Sequence, residues 1–271
     1  MKRNKPNQAG HAAWTLVAAV GLFAAFAGAA LAQGHSAETA YIILRDQRQI
    51  DGTAVRVNAQ GDYVIRTGVG ERTFPAAQVL EAVGARPPEF DRAVAALRAG
   101  QLEQAVPVLE RIAQQHRRLG WDDEANAALG RAFLRADDPQ KAASALERIS
   151  EPFLNRRPDV RVAQWDAMIA AGRGAAVEPK LDEAIRGGDR ALAARAQIRR
   201  GDLKMSRRQI EEAAMDYLRT VVLFENQRDA QPEALFKAGM ALRELRDPRA
   251  SRMFETLASD FADSEFAARI P

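Results

Sequence analysis

Few residues in this 271-residue chain have the chemistry that catalysis or metal binding requires. The three histidines, His11, His35 and His116, are too scattered to predict a metal site or a catalytic triad. The sequence has no cysteine, which excludes disulfides, thiolate metal ligands and a thiol nucleophile. The segment Gly68-Val69-Gly70 lacks the lysine and the helix start of a phosphate-binding loop. The sequence therefore predicts no metal and no cofactor.

Adjacent carboxylates are the remaining candidates for acid-base chemistry, which needs two carboxyl groups at a defined separation. Such pairs occur at Asp122-Asp123, Asp137-Asp138 and Glu211-Glu212. Each lies at the start of a segment with helical spacing or on its polar side, where acidic residues are favoured by the helix dipole. We interpret these pairs as helix starts or exposed faces. The sequence predicts that the protein is not an enzyme.

The first 32 residues have the composition of a targeting segment. Three basic residues among the first five are followed by an uncharged run, Ala12 to Ala32, which ends in a small-x-small cleavage pattern before Gln33. We interpret residues 1–32 as a signal peptide. An uncleaved membrane anchor is the alternative, because about twenty apolar residues can span a bilayer. Cleavage predicts export to the periplasm of a Gram-negative-type bacterium, without membrane insertion of the mature chain.

Removal of this segment changes the charge of the chain. The full sequence has 39 Lys+Arg against 36 Asp+Glu, and the three basic residues of the segment leave with it. The mature protein is therefore close to neutral. A neutral balance gives no electrostatic footprint for nucleic acid or an anionic membrane surface. The sequence predicts neither as a partner.

A change of composition at Pro87-Pro88 divides the rest of the chain into two modules. Residues 38–86 contain short runs of alternating apolar and polar residues, separated by turn signals. They predict a small antiparallel β module with the strands Tyr41–Leu44, Gln49–Val57, Tyr63–Arg66 and Arg72–Phe74. The stretch Ala76–Val83 is expected to be a short helical turn. This arrangement resembles the small barrels of the Sm-like type.

From residue 87 to residue 267 the apolar residues follow a helical period, and small residues recur at regular intervals. Ala105, Ala142, Ala213 and Ala250 are separated by 37, 71 and 37 positions. One further unit is therefore expected between the second and the third, and residues 160–185 fill the gap. The spacing predicts a mostly α fold, an α-solenoid of about five helical hairpins after the β module.

Pairs of small residues in this pattern resemble the tetratricopeptide family. In that family a small residue of the first helix in each hairpin lies against a small residue of the second helix. The corresponding pairs here are Ala93/Ala105, Gly130/Ala142, Gly201/Ala213 and Gly239/Ala250. The last segment, residues 234–267, is similar to repeats of periplasmic tetratricopeptide proteins that work with the Tol system or in outer-membrane assembly, although Ala262 stands where that family usually has proline.

The resemblance implies a concave groove, lined by the first helix of each hairpin, that holds an extended peptide or a partner helix. Counting from the small residues places the predicted partner-binding residues at Phe90, Leu97, Arg98, Arg131, Leu134, Arg135, Arg195 and Arg243. Guanidinium groups bind carboxylates bidentately, so the expected partner is a protein or peptide with an acidic segment. The alternative is that arginine is simply the solvating residue of these helices.

Two functions follow from these expectations. The first is an exported, non-enzymatic scaffold that holds a protein partner in the groove. The second is a structural subunit of a cell-envelope complex, Tol-like or energy-transducing, that docks through the β module. An exposed apolar patch on the β module or the last hairpin would favour the second. A third reading, an enzyme accessory or degenerate hydrolase, has no nucleophile to support it.

Overall fold

The computed structural model describes residues 40–271, so the predicted signal peptide lies outside the described residues. Within this range the chain forms six strands followed by eleven α-helices. The prediction of a mostly α protein with a small antiparallel β module is confirmed. No helix in residues 40–271 combines the length and the apolar character that a membrane span would need.

The β module consists of two three-stranded antiparallel sheets. Its strands are β1 (Ala40–Leu44), β2 (Gln49–Gly52), β3 (Ala54–Val57), β4 (Tyr63–Thr67), β5 (Gly70–Phe74) and β6 (Val79–Val83). The strand order is β2-β1-β6 in one sheet and β3-β4-β5 in the other. Ile42 of β1 and Ile65 of β4 are fully buried in a shared core. Consecutive residues are buried in both strands, Ala40–Ile42 in β1 and Tyr63–Ile65 in β4, in place of the alternation expected when only one face of a sheet is covered.

Two details of the β module differ from the sequence prediction. Only Ala76–Gln78 forms a helical turn, and β6 follows it, because Val79 and Ala82 are buried in the core while the strand pairs with β1. The chain also breaks between β2 and β3. Gly52 allows this break, since a β-carbon there would lie 2.6 Å from Cγ1 of Ile65.

Five helical hairpins follow, each packed against the next. The two helices of each hairpin are α1 (Phe90–Arg98) and α2 (Leu102–Gln115), α3 (Trp121–Arg135) and α4 (Pro139–Leu146), α6 (Pro158–Ala170) and α7 (Gly174–Arg186), α8 (Arg190–Ser206) and α9 (Ile210–Leu223), and α10 (Gln231–Glu244) and α11 (Arg249–Asp260). A short helix, α5 (Glu151–Arg156), is inserted after the second hairpin. The hairpin expected over residues 160–185 corresponds to α6 and α7.

The same turn connects the two helices of every hairpin. One residue in each turn has a left-handed backbone, and these residues are Gly100, Asp137, Gly172, Arg208 and Arg246. The N–H of the following residue donates to the carbonyl five positions back, at 2.8–3.0 Å in all five turns. This is the Schellman cap, which satisfies the last carbonyls of the first helix. The middle hairpin, which has no clear pair of small residues, therefore repeats the same backbone turn as the others.

Close approach of the two helices in a hairpin depends on a glycine that faces a large side chain. These contacts pair Gly130 with Leu146, Gly201 with Tyr217, and Gly239 with Phe254. These large residues close the space within one hairpin, because each lies directly over the glycine of its own first helix.

The β module packs directly on the helices. Leu119 is buried in the core of the β module, and Nε1 of Trp121 donates to the carbonyl of Gly84 at 2.9 Å. Arg156 of α5 also forms an ion pair with Glu81 of β6 at 2.7 Å. The helices therefore stabilise a β module whose own core is small.

We predict that Gly201→Ala destabilises the protein by about 1–3 kcal/mol, the usual effect of overpacking a core. A β-carbon at this position would lie 2.8 Å from Cδ1 of Tyr217, and the Tyr217 hydroxyl is held by Asp202 at 2.8 Å. The gain in helix propensity from alanine, about 1 kcal/mol, is too small to compensate.

Gly188→Ala is the matched control, since a β-carbon at Gly188 meets nothing within 4 Å. We expect it to change the free energy of unfolding by no more than about 0.5 kcal/mol in urea titrations. Equal stability of the two variants would show that the contact between Gly201 and Tyr217 does not limit the packing of the hairpin.

Candidate partner-binding surface

Ion pairs join the first helices of successive hairpins. Between α3 and α6, Arg131 pairs with Asp159. Between α6 and α8, Nε of Arg199 lies 2.7 Å from Oδ1 of Asp166. Arg131 was expected to be available to an acidic partner, but the structure already pairs it with a carboxylate of the next hairpin.

The connections continue between α8 and α10. Nη1 of Arg199 lies 2.7 Å from a carboxylate oxygen of Glu233, and Nζ of Lys237 lies 2.6 Å from Oδ2 of Asp202 and 2.8 Å from Glu233. We call the pairs from Arg131 to Lys237 the ion-pair ladder. It joins four of the five first helices, α3, α6, α8 and α10.

Most of the charge at the centre of the ladder is buried. The side chain of Arg199 is only 11% exposed. Burial lowers the pKa of Arg199, but Asp166 and Glu233 outweigh this effect and raise it overall. Burial likewise raises the pKa of Glu233, and Arg199 and Lys237 more than reverse that shift. Arg199 and Glu233 are therefore held in their charged forms.

Two predicted partner-binding residues belong to the core instead. Phe90 and Leu97 are only 8% and 7% exposed. The ring of Phe90 meets that of Trp121 edge-on at 5.1 Å, and Leu97 is buried in the same cluster as Leu109. The structure corrects their assignment, because α1 uses its apolar side to pack on α2 and α3. Neither side chain is available to a partner.

The other predicted residues lie at or near the surface. Arg98 and Arg135 are the last residues of α1 and α3, and Arg243 is next to last in α10. All three are exposed and lie where the helix dipole favours a cation. Leu134 is half-buried against the core of the following hairpins. We use the name first-helix surface for the exposed and half-buried residues of α1, α3, α6, α8 and α10.

Arg195 lies in the middle of α8 and lines a cleft of about 240 Å³ at the turn between α9 and α10. Its guanidinium, like those of Arg98, Arg135 and Arg243, has no carboxylate partner within residues 40–271. These four arginines therefore keep hydrogen-bonding capacity that Arg131 has already used.

A second charged cluster, between α8 and α9, was not apparent in the sequence. Asp216 is 0% exposed, and its carboxylate contacts Arg200 at 2.9 Å, Lys204 at 2.7 Å and Arg219 at 2.9 Å. Burial raises the pKa of Asp216, but the hydrogen bonds from Arg200 and Lys204 outweigh burial and leave the pKa below its ordinary value. The sequence around Asp216 looks like that of an acidic residue exposed to solvent, although its neighbour Tyr217 is a core residue.

These polar groups do not form a catalytic arrangement. Asp123, expected at a helix start or on an exposed face, lies in the first turn of α3, where it is buried and accepts hydrogen bonds from the N–H and hydroxyl of Ser150 at 2.8 and 2.6 Å. This contact holds the start of α5, and Ser150 has no histidine base beside it among its hydrogen-bond partners. In residues 40–271 no group of three or more metal-ligating side chains comes together.

Comparison with known proteins agrees with the class that the hairpins indicate. Residues 233–264 match the family model described as Tetratricopeptide repeat. This segment covers most of α10 and all of α11. No curated protein and no solved structure matches the chain.

The match supports the tetratricopeptide class, and with it a protein-interaction scaffold. It falls on the fifth hairpin alone. The same capped turn occurs in the four preceding hairpins, which extends the structural repeat along the helical part of the chain. Repeats of this class are typically not catalytic.

We predict that Asp216→Asn lowers the free energy of unfolding by roughly 1–3 kcal/mol at pH 7, because it removes the buried anion that Arg200, Lys204 and Arg219 all contact. The folded pKa of Asp216 lies below its unfolded value, so the stability that it contributes is present at neutral pH and is lost as the pH falls below about 4. Urea titrations at pH 7 and pH 3 should therefore show a smaller difference between variant and wild type at pH 3.

Glu178→Gln provides the control, since Glu178 and Arg207 form an ion pair whose side chains are about one-third exposed. Such pairs contribute about 0–1 kcal/mol. If Asp216→Asn and Glu178→Gln have equal effects at both pH values, the buried cluster does not stabilise the fold.

Proposed function

We propose that this protein is an exported, non-enzymatic scaffold that binds a protein partner on its first-helix surface. The observation that carries the proposal is the repetition of one hairpin five times, with the same capped turn each time. A single hairpin cannot bury its apolar side alone, so successive hairpins stack. We propose that they form an α-solenoid, with the first helices along its concave side.

The first-helix surface offers two kinds of contact. Met205 and Met240 are half-buried and can adapt to an apolar anchor. Arg135, Arg195 and Arg243 are not engaged by carboxylates of the described chain and can donate to main-chain carbonyls or acidic side chains. An extended peptide or helix that carries both apolar anchors and acidic positions suits this combination better than a uniformly acidic segment does.

Export to the periplasm is the compartment we propose for this function. Support comes from the basic start, the uncharged run and the small-x-small pattern before Gln33. The near-neutral charge after cleavage and the absence of cysteine in the sequence are compatible with it. A mature chain that begins at Gln33 in the periplasmic fraction is the expected result, and a cytoplasmic chain with an intact start would contradict export.

A second function, a structural subunit of a cell-envelope complex, has one observation in its favour. Val69, at the tip of the hairpin between β4 and β5, is 95% exposed. An apolar side chain held at a protruding tip can anchor the β module on a neighbour. The order β6-β1-β2 followed by β3-β4-β5 fits the Sm-like small barrel that we propose for this module.

We predict that Arg135→Glu and Arg195→Glu together abolish capture of the partner. Both side chains lie on the first-helix surface without a carboxylate partner, so reversing their charge should repel acidic positions of the partner without breaking an internal ion pair. The measurement is affinity capture from an envelope extract, followed by mass spectrometry of wild type and variant in parallel.

Val69→Asp is the companion variant that separates the two functions. The scaffold proposal expects Val69→Asp to retain the partner that the arginine variant loses. Loss of the partner on Val69→Asp alone would favour docking through the β module. If no protein is captured under any condition, both functions are contradicted.

A further inference from the structure

A cleft of about 350 Å³ lies where the β module meets the helices. Its walls come from β6, from the segment between α2 and α3, and from the segment between α4 and α5. Four arginines, Arg117, Arg118, Arg148 and Arg156, line this cleft together with only three carboxyl groups. The tertiary fold creates this concentration of positive charge, because the segments are separated along a chain of near-neutral composition.

Two of these arginines are already engaged by the β module. The guanidinium of Arg118 lies 4.9 Å from the ring centre of Tyr63 and donates to the carbonyl of Gly61 at 3.3 Å. Arg156 pairs with Glu81 at 2.7 Å. These contacts hold both side chains against the wall of the cleft, where they add positive charge.

The other two arginines are free to bind a ligand. Within residues 40–271, the guanidinium groups of Arg117 and Arg148 take part in no hydrogen bond, ion pair or ring contact. Arg117 follows α2 and Arg148 follows α4, so each is on a short connection at the mouth of the same cleft. Each presents a planar fork of donors that matches a carboxylate.

The carboxyl groups of the cleft do not neutralise this pair. Glu81 is occupied by Arg156. Asp123 is turned into the protein, where it accepts two hydrogen bonds from Ser150, and burial raises its pKa. Oδ2 of Asp122 accepts from the backbone N–H of Arg118 at 2.8 Å. Four arginines against these three carboxyl groups leave the cleft with a net positive charge, and none of the three contacts the guanidinium of Arg117 or Arg148.

We infer that this junction cleft binds a carboxylate-bearing segment of the partner protein, with Arg117 and Arg148 as its two anchors. The inference deepens the proposed function and rests on it, since it adds a second contact point to the scaffold, at its junction with the β module. The volume of the cleft suits one or two side chains or a chain end, not a whole helix. Arg131 was expected to bind acidic groups, but it is paired with Asp159. Arg117 and Arg148 are not paired within residues 40–271, so the inference gives them a part in binding acidic groups of the partner.

The test uses the full protein and a fluorescently labelled tetrapeptide that ends in two glutamates with a free carboxyl terminus. Fluorescence anisotropy at low salt should show saturable binding. Each of Arg117→Ala and Arg148→Ala should weaken binding roughly tenfold, because each removes a charge-assisted hydrogen-bonding partner. Both side chains are exposed and unpaired, so thermal melts should show unchanged stability.

Three controls decide the outcome. Arg252→Ala removes an exposed arginine of α11, outside the cleft, and should leave the affinity unchanged. The matching peptide with two glutamines and an amidated end should not bind, and inorganic phosphate should compete only weakly. Absence of binding, equal weakening by Arg252→Ala, or phosphate binding without peptide binding would each overturn the inference. None of these results depends on the capture of a partner by the first-helix surface, so the two proposals fail separately.

Discussion

Arg199 is the residue on which the arrangement of the last three hairpins depends. Its guanidinium reaches Asp166 on α6 and Glu233 on α10, so a single side chain of α8 connects three hairpins. A largely buried arginine is unfavourable unless both of its carboxylates are in place. The packing of apolar residues brings the helices together. The ion pairs of Arg199 also restrict where α6, α8 and α10 lie relative to one another, because all three charged groups must stay in contact.

Much of the helical fold could be predicted from the sequence, because small residues and apolar periodicity are local signals. The turns at Gly100 and Asp137 are visible in this way. The turn at Gly172 was harder to place, since its hairpin lacks the small-residue pair, although its backbone has the same cap. The β module was predicted less well. Whether Val79–Val83 forms a strand is decided by pairing with β1, which a local pattern does not reveal.

The candidate site was less predictable for the same physical reason. Asp159 neutralises Arg131 from the next hairpin, and Asp216 is buried by residues of two helices. Such contacts join positions far apart in the sequence, so counting along one helix cannot identify which arginines are free. The count also placed Phe90 and Leu97 in a groove, whereas the first hairpin needs both for its core. The sequence indicates the kind of surface, and the contacts determine which of its residues a partner can reach.

The most direct test of this account is hydrogen-deuterium exchange, measured by mass spectrometry, on Arg199→Met. If Arg199 connects the hairpins, amide exchange should become faster in α6 and α10 as well as in α8, because Asp166 loses its partner and Glu233 keeps only Lys237 of its own helix. Arg207→Met, which removes a partly exposed ion pair just beyond the C-terminal end of α8, should leave exchange in α6 and α10 unchanged. Faster exchange confined to α8 in both variants would contradict the role of the ion-pair ladder as the link between hairpins.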